Sequence, residues 1–183
     1  MPLELTSPPA IEPVTLAEAK AHLKIDTTDD DTLIARLIAA ARTRAEWHTG
    51  RALVTQGWTL WRDSWCDPLA LPLPPLQAVT SMKTYGRDDT VHLLDSADYT
   101  VDLAGGRVTL KDNIAPPVDL RRINAVAIAF TAGYGDTTSD VPDPLRSAIL
   151  AIVAFLYEHR GEAPAELPQD IAAMLAPYRV LKV

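Results

Sequence analysis

Apolar residues recur at helical spacing near both ends of the chain and at alternating spacing in its middle. Leu16, Ala19 and Leu23 form a short stripe behind Thr15. Thr15 and Glu18 have the spacing of a capping box, in which hydroxyl and carboxylate satisfy each other's free backbone N–H groups. A helix ending near Lys24 is predicted. Leu33, Ile34, Leu37, Ile38, Ala41 and Ala45 predict a second, longer helix that stops at Gly50. Asp29, Asp30 and Asp31 precede it, where carboxylates suit the positive end of the helix dipole. Arg36, Arg42 and Arg44 lie toward its C-terminal half. Far along the chain, Pro142 and Pro144 mark another helix start, which runs to about Arg160 before Gly161. Pro168 opens a last short helix over 168–175.

Between these helices the texture is that of strands. Residues 54–62 are aromatic and β-rich. Residues 69–77 (LALPLPPLQ) cannot be helical, because their prolines remove donors and force extended geometry. Further strands are predicted at 79–85, 90–94, 99–103, 107–110 and 123–132. The third and fourth of these flank Ala104-Gly105-Gly106, a hairpin signal. The order predicts an α+β fold. Residues 14–50 and 142–176 form a helical bundle, and residues 51–135 form an inserted antiparallel β subdomain. Residues 1–13, with four prolines, read as an extended N-terminal arm. Residues 177–183 read as a C-terminal tail that leaves the bundle after Pro177.

Two features suggest surfaces that need a partner. From Ser147 to Tyr157 no charge occurs anywhere around the helix, and such a helix is buried on all sides. One small bundle covers only part of it, so Ala151, Ala154 and Phe155 on its second face are expected at a subunit interface. Trp58 and Trp61 fall on opposite faces of one strand, a pattern of core plus interface, and both are expected there too.

Composition narrows the chemistry. The chain has 183 residues, 48% hydrophobic and 22% charged, enough for a sizeable core. Its formal charge is −7, which argues against a sequence-independent nucleic-acid binder. Seven acids against Lys20 and Lys24 put −5 of that charge in residues 1–31. The single Cys66 excludes an internal disulfide and a multi-cysteine zinc site. Its neighbour Asp67 is the wrong company for a nucleophile, which needs a base and an electropositive setting. His22, His48, His92 and His159 show no metal-ligand spacing. The run from Asp26 to Asp31 lacks the central glycine and distal glutamate of a calcium loop, so helix capping explains it. Gly133-Tyr134-Gly135 reads as a turn, since Asp136 would repel phosphate. No catalytic residue, metal ligand or cofactor site is expected. Residues 147–157 fall short of the roughly 20 apolar residues that span a bilayer, so no membrane role is expected. No secretory leader is expected either.

Several pieces in order carry a family resemblance. They are Pro13-Val14-Thr15-Leu16-Ala17-Glu18-Ala19-Lys20, His22-Leu23, Asp29-Asp30-Asp31 before Leu33-Ile34, Ala40-Ala41-Arg42 with Glu46, and Thr49-Gly50-Arg51. Later come Phe130, Ala132-Gly133-Tyr134-Gly135-Asp136, Val141-Pro142, Leu145-Arg146, Ala148-Ile149, Tyr157-Glu158 with Arg160, Leu175 and Pro177-Tyr178-Arg179. The sequence thereby resembles the head–tail connector (adaptor) proteins of long-tailed bacteriophages, prophages and gene transfer agents.

The resemblance implies a structural protein, not an enzyme, made in the bacterial cytoplasm and placed at the head–tail junction of a virion or phage-like particle. It implies a homo-oligomeric ring, usually a dodecamer, beneath the portal protein. Such a ring extends the DNA channel and docks the next head-completion, stopper or tail protein. DNA would pass without specific binding, which an acidic chain favours. The resemblance also implies that the C-terminal segment engages the portal, through Pro177, Tyr178, Arg179, Val180, Leu181 and Val183. The alternative reading is a small α+β enzyme or ligand-binding domain with an unrecognised site.

Overall fold

The Thr15 side chain accepts from the Glu18 amide at 3.2 Å, and Glu18 accepts from the Thr15 amide at 2.7 Å. This capping box starts helix α1, Leu16–Leu23, and Lys24 ends it in the left-handed region at φ 58°. In the computed structural model, which describes residues 2–160 and 166–180, the chain divides into two units. One unit is Ala10–Val54 with Tyr134–Val183, and the other is Met1–Pro9 with Thr55–Gly133.

The first unit is helical. Helix α2 spans Asp31–Thr49, α3 spans Asp143–Glu158 and α4 spans Gln169–Leu175. Gly50 caps α2 at φ 71°, a conformation that a side chain would strain. The apolar stripe of α2 meets that of α3, although nearly a hundred residues separate them. Ile34, Ile38, Ala41 and Ala45 pack with Leu145, Ala148, Ile149, Ile152 and Val153 in one core. Leu37 is only half-buried, because it sits at the margin of the stripe. Arg42 crosses from α2 to the chain before α1, donating to Glu12 at 2.8 Å and to Glu46 at 2.7 Å. Arg146 bonds both Glu18 and the carbonyl of Pro13.

The second unit is antiparallel β. Strands β1 (Leu3–Ser7), β2 (Gln56–Arg62), β3 (Leu69–Ala70), β4 (Leu76–Tyr85), β5 (Val91–Leu93), β6 (Tyr99–Asp102), β7 (Arg107–Leu110) and β8 (Val126–Ala132) build it. The larger sheet has the order β1-β2-β8-β4-β5 and the smaller the order β3-β7-β6. Central β8 pairs Phe130 with Trp58 on one side and with Val79 on the other. Its near-continuous apolar sequence reflects this central place, and Val126, Ala127, Ile128, Phe130 and Ala132 are buried.

Four differences from the sequence expectation bear on how the units are built. The N-terminal arm is extended, but Leu3–Ser7 is hydrogen-bonded as an edge strand against β2. β2 starts at Gln56, because Val54 is recruited to the helical core. β4 starts at Leu76, earlier than expected. β8 starts at Val126, because Asn124 turns the chain at φ 51° and Arg121 holds its carbonyl at 2.7 Å.

Candidate assembly interface

The charge-free helix is largely, but not wholly, covered by its own chain. Leu145, Ala148, Ile149, Ile152 and Val153 point into the core of the helical unit. Ala151, Ala154 and Phe155 are half-buried. The Phe155 ring lies 4.5 Å from that of His159, so part of its second face is already packed. What remains is a strip of small apolar side chains that a neighbouring surface can cover at little desolvation cost.

Trp58 and Trp61 alternate across β2 as expected, and both are half-buried. The indole N–H of Trp58 is shielded and has no acceptor among the described residues. Trp61 donates to Glu4 at 3.3 Å, and its ring lies 5.8 Å from that of Tyr85. β1 therefore covers one edge of the strand that carries both tryptophans.

The tail departs from expectation. Pro177 does not release the chain. Ala176–Tyr178 forms a tight 3-10 turn, which tolerates a proline where no N–H donor is needed. The Arg51 guanidinium donates to the Tyr178 carbonyl at 2.6 Å, and the Val180 amide donates to the Thr49 carbonyl at 2.7 Å. Up to Val180 the segment is thus held to the end of α2. Pro177 and Arg179 are exposed, while Tyr178 and Val180 are half-buried. Leu181 and Val183 lie outside the described residues.

The aspartate run serves tertiary pairing more than capping. Asp30 precedes α2 without a side-chain cap bond. Its carboxylate accepts from the Tyr157 hydroxyl at 2.5 Å and faces Arg160 at 3.5 Å. Asp31 accepts from Lys20 at 2.6 Å. Elsewhere, the Thr15 amide, helped by the Thr15 hydroxyl and Arg146, holds the Glu18 carboxyl below its ordinary value against the opposing effect of burial.

Chemistry-bearing residues are not gathered. Among the described residues no group of three or more His, Cys, Asp or Glu could hold a metal ion. Cys66 is exposed. A groove of about 830 Å³ in the β unit is lined by Leu93, Leu94, Leu110, Ile114 and Val118 with the carboxylates of Asp88, Asp95, Asp98 and Asp119. Arg87, His92, Thr84 and Thr90 line it as well.

The sequence reading missed Trp47, which is 89% exposed on α2. The signal was present. Position 47 lies two residues beyond Ala45, which places it on the helix face opposite the apolar stripe. Val118 and Leu93, also exposed, were missed because loop and edge positions carry no periodicity.

Residues 13–85 match the family described as phage gp6-like head-tail connector protein. That span is about two fifths of the chain. The matched segment takes in α1, α2 and β2 through β4, so it contributes to both units. Solved structures extend a likeness of fold to the whole chain. A chain in the neck of an empty GTA particle computed with C6 symmetry superposes with TM-score 0.83. It is 24% identical and covers 100% of this chain and 97% of that one. A chain in the virion of a native gene transfer agent particle gives TM-score 0.81 at the same identity and coverage. So does one in the neck of a native GTA particle computed with C12 symmetry, also at 0.81. No curated protein matches the sequence.

Proposed function

We propose that this chain is a structural head–tail connector: it assembles as a ring under the portal of a phage-like particle, extends the DNA channel and docks the next neck or tail component. The observation that carries this reading is the connector match over residues 13–85. The full-length likeness to neck chains, one from a particle computed with C12 symmetry, supports a ring of twelve copies. The role needs binding surfaces and no turnover. The strip at Ala151, Ala154 and Phe155, together with Trp58 and Trp61, supplies apolar area for neighbouring subunits. The exposed Pro177 and Arg179, flanking Tyr178, offer a portal-docking edge that is already positioned by Arg51. Val180 continues that edge. Leu181 and Val183 belong to the same docking proposal by sequence. A formal charge of −7 lets DNA slide past without tight phosphate contacts.

Loss of the gene in producing cells tests the reading by electron microscopy. DNA-filled heads without tails are expected. Complete tailed particles in its absence would overturn it. For the docking edge, Arg179→Glu should abolish co-purification with the portal while leaving the melting temperature unchanged. Retained portal binding would remove the tail from that role.

A further inference from the structure

Trp47 stands almost free of its own chain, in the last turn of α2 and 89% exposed. Tryptophan pairs a large rigid apolar area with one polar tip, and it is among the residues most enriched at interface anchors. Its surroundings are basic. Arg44 precedes it by one turn, His48 adjoins it, and Arg51 follows. Arg179 reaches the same end of the helix, because Tyr178 and Val180 are bonded to Arg51 and Thr49. A cationic, aromatic end is thus displayed by a chain whose formal charge is −7.

The opposite end of the same bundle is acidic. The Tyr157–Asp30 bond brings the end of α3 to the start of α2. Asp26, Asp29 and Glu158 are exposed there, and none makes an ion pair among the described residues. Lys20 and Arg160 are committed to Asp31 and Asp30, which leaves Lys24 as the exposed cation near these acids. The 19 residues of α2 hold the two ends about 28 Å apart.

A closed ring of identical chains joins two different surfaces of each copy, head to tail. We infer that the Trp47 end of α2 is one of those surfaces and that it seats against the Asp29–Glu158 end of a second copy of this chain. The indole supplies the desolvated centre, and His48 beside it faces the carboxylates. This inference rests on the ring reading above. It adds which ends meet, and it sets the direction in which copies follow one another.

Cysteine cross-linking of the full chain tests it. In a Cys66→Ser background, Thr43→Cys places a thiol one turn from Trp47, and Asp29→Cys places one at the acidic end. With a bifunctional maleimide, the double variant should give a ladder running past dimers, and each single variant should give none. Adding Trp47→Ala should weaken the ladder on the order of tenfold or more, with an unchanged melting temperature. Trp47→Phe should retain most of it. Dimers from Thr43→Cys alone would mean that Trp47 meets its own copy face to face, which overturns the inference. So would a ring seen by native mass without cross-links, or loss of portal capture as the sole effect of Trp47→Ala; both leave the ring reading standing. A chain that stays monomeric without cross-links would overturn both.

Discussion

The backbone amide of Val180 donates to the carbonyl of Thr49 at 2.7 Å, so the end of the described chain is fastened to the end of α2. Arg51 doubles the attachment through the Tyr178 carbonyl at 2.6 Å. Deleting residues 177–183 should therefore lower stability. Two hydrogen bonds worth about 0.5–1.5 kcal/mol each predict a loss of roughly 1–3 kcal/mol in urea denaturation. Arg51→Ala should reproduce part of it. An unchanged midpoint after deletion would show that these bonds contribute nothing net.

The α2–α3 seam should dominate the stability of the helical unit. Ile152 is fully buried there, and Ile152→Ala should cost about 2–5 kcal/mol. Leu37→Ala should cost less, since Leu37 is only half-buried at the edge of the same seam. Thermal unfolding followed by circular dichroism ranks the pair. The reverse ranking would mean that the stripe is packed differently.

Acidification should loosen the start of α1. Glu18 has a folded pKa below its ordinary 4.5, chiefly through the Thr15 amide. A carboxyl lowered by folding stabilises the fold above its unfolded pKa, and that stability is lost as pH falls through the folded value. Stability should decline as pH drops below about 4.5, and Glu18→Gln should flatten that part of the profile. Equal slopes in both proteins would assign the decline to other carboxylates.

Ala154→Asp tests the remaining strip on α3. The position is half-buried in the single chain, so a carboxylate can reach water there when no neighbour covers it. Helicity should persist while ring formation fails. Rings of normal size with this variant would take α3 out of the subunit interface.

Much of the helical unit was legible because its signals are local. Thr15 and Glu18 sit within one turn, Gly50 ends the stripe that begins at Leu33, and Pro144 opens α3. The β1 pairing was not legible, since Leu3–Ser7 is joined to Gln56–Arg62 across some fifty residues and carries little alternation of its own. Tail attachment escaped for a similar reason. It depends on a backbone carbonyl at Thr49 and on the reach of Arg51, and neither leaves a pattern near Pro177. On α3, the half-buried strip of Ala151, Ala154 and Phe155 was readable from missing charge. Trp47 needed the opposite question, namely which apolar residue falls off the stripe.

The path of the chain has a consequence for how this protein can be inherited. It passes between its two units at 9/10, 54/55 and 133/134. No single cut yields either unit whole, and beginning at residue 10 would strip β1 from β2 and bare the edge beside Trp58 and Trp61. Genes exchange segments by recombination. For this one, a crossover inside the gene would have to supply sheet strands and helices that already fit those of the other parent. The gene should therefore travel intact, its surfaces changing residue by residue and not by exchange of segments.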